Sequence, residues 1–182
     1  RKDRSCTAVI YNAGQKENGA IFQHPQGWVV IAEAMLGRGD RAYEYFRAYM
    51  PAASNEHAEV RESEPYVWCQ STHGRYSRLF GKARVPWLSG TASWSLHAAT
   101  HFILGVQPDY DGLRIRPVIP AAWDGFKVTR RFRGATYRIT VKNPKHVCAG
   151  ATRMKVDGRS VDGDLVPLAS AGSTVKVDVV LE

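Results

Sequence analysis

The sequence predicts a mixed fold whose α and β parts lie in separate regions, with helices before about residue 107 and a small antiparallel β-sandwich after it. Three observations carry this. Apolar residues recur at helical spacing wherever a period is readable from Trp28 to His101; alternation replaces that spacing from Leu113 onward; and the Gly- and Pro-bearing stretch GVQPDYDG, residues 105–112, lies between them. With 182 residues, 44% of them hydrophobic, the chain can bury a core in one large domain or two small ones. The expected division is 1–106 and 107–182.

The first helix is expected in GWVVIAEAMLGRGD, residues 27–40, where Trp28, Ile31, Ala32, Met35 and Leu36 share an apolar face and Gly37 suits a left-handed end. Asp40 reads as the N-cap of a second helix, RAYEYFRAYM, whose Tyr43, Phe46 and Met50 form another stripe that stops at Pro51. The two make a helical hairpin. A third helix is expected near SGTASWSLHAATHFILG, capped by Ser89 or Thr91, ended by Gly105, and burying Trp94, Leu96, Ala99 and Ile103. Between them the polar stretch 54–87 reads as a long loop, which in a compact domain is more often functional than idle. Strands follow in LRIRPVI, FKVTRRF, ATYRITVKN, TRMKVDG and TVKVDVVLE, with a hairpin turn at Asp157 and Gly158.

Composition excludes several classes. Three cysteines, Cys6, Cys69 and Cys148, are an odd number with no CxxC spacing, so neither a disulfide framework nor a zinc cluster is suggested and reduced, cytoplasmic thiols are the plain reading. No apolar run reaches the roughly 18 residues of a membrane span, and RKDRSC at the start lacks the apolar core of a signal peptide. The formal charge of +8 is spread along the chain, with 12 Lys/Arg against 9 Asp/Glu before Gln107 and 13 against 8 from there on, which argues against a nucleic-acid groove. There is no GxSxG, P-loop, HExxH or GxGxxG motif. His97 and His101 stand at i and i+4 without a convincing third ligand, so no metal is expected.

Two polar clusters remain. In QKENGAIFQHPQGW, residues 15–28, an ammonium, a carboxylate, an amide and an imidazole precede an apolar helix, where donors can converge on an anion or on sugar hydroxyls. In PWLSGTASW, residues 86–94, Ser89 and the N–H groups of Gly90 and Thr91 offer an anion cradle. Plain readings stand beside these: Lys16 and Glu17 as a solvated pair, Asn18 and Gly19 as a turn, His24 as a cap or core group, Ser89 as an N-cap. Tyr66, Trp68, Trp87 and Trp94 flank Gln70 and Ser89 and suit the C–H faces of sugars, or equally a core.

Together YNAGQKENGAIFQHPQGWVVIAEAMLGRGDRAYEYF, EPYVWCQ and WLSGTASW resemble the family 94 glycoside hydrolases, the inverting disaccharide phosphorylases; ILGVQPDYDGLRIRPVIP and FKVTRRFRGATYRITV resemble the same family's C-terminal part. The resemblance implies the last portion of an (α/α)6 barrel followed by a C-terminal β-sandwich, in a much longer, cytoplasmic, homodimeric enzyme that needs inorganic phosphate as co-substrate and no cofactor. It implies cleavage of a β-linked disaccharide, nearest the cello-type members, to a sugar α-1-phosphate. An aspartic acid protonates the leaving oxygen while phosphate attacks the opposite face, so no separate general base is needed. His24 resembles the phosphate-binding histidine, and Ser89 and Gly90 fall on the family's Thr-Gly phosphate cradle with Ser in place of Thr. Lys16, Glu17 and Gln70 fall on glycone contacts. The catalytic aspartate and a phosphate-gripping arginine are expected upstream, in the remaining N-terminal part, and no catalytic acid is assigned here. The rival is a noncatalytic carbohydrate-binding or scaffold module derived from the same family.

Overall fold

The computed structural model describes residues 10–182, so Cys6 lies outside the described residues. Two compact units are distinguished, one of residues up to Val29 with Glu44–His97, the other of Val30–Tyr43 with Ala98–Glu182. The division falls within two helices, α1 (His24–Met35) and α2 (Gly39–Tyr49).

In the first unit three short strands, β1 (Ile21–Phe22), β2 (Cys69–Thr72) and β3 (Ala83–Pro86), form an antiparallel sheet in the order β1-β2-β3. The stretch expected to be one long loop therefore contains two strands, the end of a 3-10 helix (Pro51–His57) and the single-turn helix α3 (Ala58–Arg61). Each element is too short to impose a period, which is why alternation in CQST and ARVP is invisible beside the helical stripes. Buried Arg61 secures the approach to β2, donating to the carbonyl oxygens of Glu64, at 2.9 Å, and Val67.

The expected apolar faces of α1 and of the third helix are corrected. Trp28 is 48% exposed and Met35 74% exposed, whereas Gly27, Val30 and Ala34 are buried. Apolar residues surround most of this helix, so its period does not say which stripe turns inward; the small residue Gly27 decides it, since a Cβ there would stand 3.1 Å from the Trp94 Cβ. Helix α4 (Thr91–His97) likewise buries Thr91 and Ser95 and leaves Leu96 66% exposed. The buried hydroxyls are satisfied: Ser95 Oγ lies 2.6 Å from the Thr91 carbonyl oxygen and 3.1 Å from the Tyr49 hydroxyl. Trp68 packs against Phe46 and Tyr49, with ring centroids 6.0 and 5.2 Å apart, and belongs to this aromatic cluster.

In the second unit the chain leaves α4 through a π-helical turn, Ala98–Ile103, closed by the Leu104 N–H donating to Ala99 at 2.8 Å. Gly105 then turns at φ 67° toward β4 (Val106–Pro108), and a Cβ there would lie 1.9 Å from the Arg116 carbonyl oxygen. Only glycine meets both demands. Asp40 does not cap α2, which begins at Gly39; its Oδ1 accepts from the Ala121 N–H at 2.9 Å.

Eight strands follow: β4, β5 (Gly112–Ile115), β6 (Gly125–Phe132), β7 (Ala135–Lys142), β8 (Thr152–Val156), β9 (Arg159–Val161), β10 (Leu165–Pro167) and β11 (Thr174–Leu181). They form a three-stranded sheet, β10-β5-β4, and a five-stranded sheet, β6-β7-β11-β8-β9. One pairing departs from the antiparallel expectation: β11 runs parallel to β7, from Thr174 opposite Thr136 to Val180 opposite Lys142, because the β8–β9 hairpin intervenes in the chain between them. Leu113, Ile115 and Val166 of the first sheet and Tyr137, Ile139, Val177 and Val179 of the second share one core. Burying each such side chain contributes on the order of 1.5–3 kcal/mol. Arg114, on the central strand of the small sheet, ties together the residues flanking its two edge strands, with Nη atoms 2.8 Å from Asp109 and 2.6 Å from Asp164.

Candidate active site

Every residue named above as a sugar or phosphate ligand lies in the first unit, and strand β2 is its hub. Lys16 stands in a tight turn, Gln15–Asn18, at φ 44°, a left-handed conformation a lysine adopts only when held there. Its Nζ donates to Gln70 Oε1 of β2 at 2.5 Å, across 54 residues of sequence. Two of the three glycone candidates thus meet directly, and Glu17 is exposed beside Lys16 in the same turn.

The next link runs through the β2 backbone. The Gln70 carbonyl oxygen accepts from the Gln23 N–H at 2.8 Å, which fixes the residue immediately before His24, the first residue of α1. The His24 ring packs edge-on against Trp28, with centroids 5.5 Å apart, and Trp28 packs on Trp94 at 5.6 Å. The Cβ position of Gly90 is 3.6 Å from Cδ1 of that same Trp94. A chain of aromatic contacts therefore leads from His24 to Gly90.

Ser89 is reached from β2 as well. The Thr91 hydroxyl donates to the Cys69 carbonyl oxygen at 2.8 Å, and Ser89 Oγ lies 2.6 Å from Thr91 Oγ1 while accepting from the Thr91 N–H at 3.1 Å. Since the Thr91 proton goes to Cys69, the Ser89 proton points to Thr91. Ser89 is thus a local cap here, and its hydroxyl has to turn to serve an anion. Cys69 is fully buried, and burial pushes its thiol up from its ordinary value.

Of the aromatic candidates, Tyr66 and Trp87 form an exposed edge-on pair 6.1 Å apart, and the Trp87 indole N–H donates to Glu64 at 3.3 Å. Sequence reasoning missed Thr91 as the link between β2 and Ser89, Gln23 as the link to His24, and His73. The polar run CQSTHGRYS was the signal for His73, read only as loop. Among the described residues no group of three His, Cys, Asp or Glu side chains could hold a metal ion, and no helix is long and apolar enough to cross a membrane.

Comparison with known proteins gives the family. Residues 2–105 match the family described as "Glycosyl hydrolase 94 superfamily, catalytic domain", and 106–162 match "Glycosyl hydrolase family 65, C-terminal domain". The chain belongs to glycosyl hydrolase family 94. It is 48% identical over 92% of its length to an N,N'-diacetylchitobiose phosphorylase of Vibrio furnissii, and 32% identical over 90% to a solabiose phosphorylase of Paenibacillus borealis. A cellobionic acid phosphorylase of Neurospora crassa is 32% identical over 71% of the chain and is itself covered to 17%. The chain spans 21% of the length of the Vibrio and Paenibacillus relatives.

Proposed function

We propose that this chain forms part of an inverting disaccharide phosphorylase and supplies ligands for both reactants. Lys16, Glu17 and Gln70 hold the glycone sugar; His24, Ser89 and Gly90 hold phosphate. The observation that carries this reading is the hub at β2, where the Gln70 side chain meets Lys16, its carbonyl fixes the entry to His24, and the neighbouring Cys69 carbonyl fixes Thr91 beside Ser89.

In the proposed reaction a carboxylic acid elsewhere in the enzyme protonates the glycosidic oxygen as that bond breaks. A phosphate oxygen forms the new bond to the anomeric carbon from the opposite face, giving the α-1-phosphate. The His24 imidazole and the Ser89 hydroxyl donate to phosphate oxygens, placing the nucleophile and easing the approach of its charge to the sugar. The Lys16 ammonium and Glu17 carboxylate give hydroxyl groups a donor and an acceptor at fixed positions. In the larger frame residues 1–106 belong to the C-terminal part of an (α/α)6 barrel and 107–182 to a β-sandwich domain. A homodimer in the cytoplasm belongs to the same proposal.

The substrate reading moves from the cello-type to the diacetylchitobiose type, supported by 48% and 47% identity to two Vibrio diacetylchitobiose phosphorylases against 32% to the cellobionic acid enzyme. Phosphate release by the complete enzyme, from N-acetylglucosamine 1-phosphate and from glucose 1-phosphate with matched acceptors, tests it. Turnover of the N-acetylated donor is the expected result. Turnover of glucose 1-phosphate alone restores the cello-type reading, and turnover of neither leaves the noncatalytic module.

A further inference from the structure

We infer that His73 and the turn it closes are a clamp that sets the position of Lys16 and Glu17, making His73 a positioning residue for the sugar side; the link to sugar rests on the function proposed above. His73 follows β2 directly, three residues after Gln70, and its side chain is 1% exposed. Its Nδ1 lies 2.7 Å from the Ser77 hydroxyl, which also accepts from the Leu79 N–H at 3.1 Å, while the Ser77 N–H donates to Gly74 at 2.9 Å. The backbone of His73 is held on both sides, its N–H donating to Lys82 at 2.9 Å and its carbonyl accepting from Gly81 at 3.1 Å. Residues 73–77 thus form a rigid turn anchored to the strand pair β2–β3.

The Lys16 turn sits on that platform without slack. The Gly74 N–H donates to the Gly14 carbonyl oxygen at 2.9 Å, and the Gly14 N–H to Asn18 at 2.7 Å. A Cβ on Gly14 would fall 2.6 Å from the Ser77 nitrogen, and one on Gly74 would fall 1.8 Å from the Gly19 carbonyl oxygen. Both ends of the 14–19 segment therefore press on the 73–77 turn at distances only glycine permits. Lys16, held at φ 44° between them, reaches Gln70 only if this contact keeps its place. Moving the turn by about an ångström would spoil the sugar contacts while leaving His24, fixed through Gln23, where it is.

The complete enzyme carries the test. His73→Leu fills the buried space and loses the bond to Ser77; His73→Asn keeps a hydrogen-bonding atom near the Nδ1 position; Ser77→Ala removes the partner alone and serves if the leucine variant does not fold. With His73→Leu the KM for disaccharide at saturating phosphate is expected to rise about tenfold. The KM for phosphate should stay within about twofold, and His73→Asn should recover most of the loss. Backbone amide exchange over residues 14–20, expected to speed up in the leucine and Ser77→Ala variants while β2 and β3 keep their protection, reads the clamp without turnover. Unchanged exchange over 14–20, or equal rises in both KM values, overturns the clamp. A complete enzyme that phosphorolyses no disaccharide removes the functional reading instead, and exchange alone then decides the clamp.

Discussion

His24 and Lys16 sit on separate branches of the contact network around β2, so their removal should have different kinetic signatures. If His24 binds phosphate as proposed, His24→Ala in the complete enzyme deletes a contact that tightens as charge is shared with the departing sugar, a loss of roughly 2–4 kcal/mol. Catalytic efficiency should fall about 30-fold to 1000-fold, with the KM for phosphate raised. Lys16→Ala should show its defect chiefly in the disaccharide KM at saturating phosphate. A phosphate dependence untouched by His24→Ala would make the imidazole a helix-entry group packed on Trp28. His73 supports a pH prediction of its own. Burial first, then the nearby Arg84 and Lys82, hold its imidazole below the ordinary 6.5, so the folded protein keeps it neutral where the unfolded chain would take a proton. That contribution is fully present above 6.5 and is lost as pH falls below it toward the folded value. The difference in urea midpoint between wild type and His73→Leu should therefore shrink from ~pH 7.5 to ~pH 5. A constant difference would mean the buried ring titrates alike folded and unfolded.

At the scale of elements, much of the fold was legible in the sequence, for reasons particular residues make plain. The strands after Leu113 alternate because one face meets a shared core, as Tyr137, Ile139 and Val141 do on β7, and the period survives into the structure. Helices α1 and α4 were legible as helices but not in orientation, since Gly27 and Ser95 rather than Trp28 and Leu96 turn inward, and small side chains carry little weight in an apolar count. Lys16, Gln70, His24 and Ser89 were singled out in the sequence as candidate ligands; that β2 connects them was not legible, because its links to Lys16, Gln23 and Thr91 join groups distant in sequence, two of them through β2 carbonyl oxygens that carry no sequence signal. The junction at Gly105 was read as a helix stop, and the structure adds that Arg116 leaves no room beside it. Gly105→Ala combines a left-handed backbone with a clash against the Arg116 carbonyl oxygen just past β5, and should cost at least about 2 kcal/mol. Chemical denaturation is the measurement; a loss below about 1 kcal/mol would mean the π-helical turn relaxes to make space.

For the whole molecule, the exposed apolar residues decide between a catalytic fragment and a self-standing module. Trp28, Trp87, Leu88, Trp94 and Leu96 of the first unit all stand exposed, although they flank the residues proposed to bind phosphate. A solvated protein seldom leaves so many large apolar side chains uncovered near one another without a partner surface. The Vibrio phosphorylases are long enough to supply one, since this chain spans 21% of their length. If the rest of such an enzyme covers these residues, the 182-residue chain alone should bind an apolar dye strongly and self-associate, whereas the complete enzyme should do neither at equal molar concentration. Replacing Trp28 and Leu96 with glutamine should keep the isolated chain dispersed and should damage assembly of the complete enzyme. Sedimentation and dye fluorescence on the four proteins give the answer. A monomeric, dye-silent isolated chain that binds oligosaccharide would favour the module, because its apolar surface would then be a finished exterior, with Tyr66 and Trp87 free to stack on sugar.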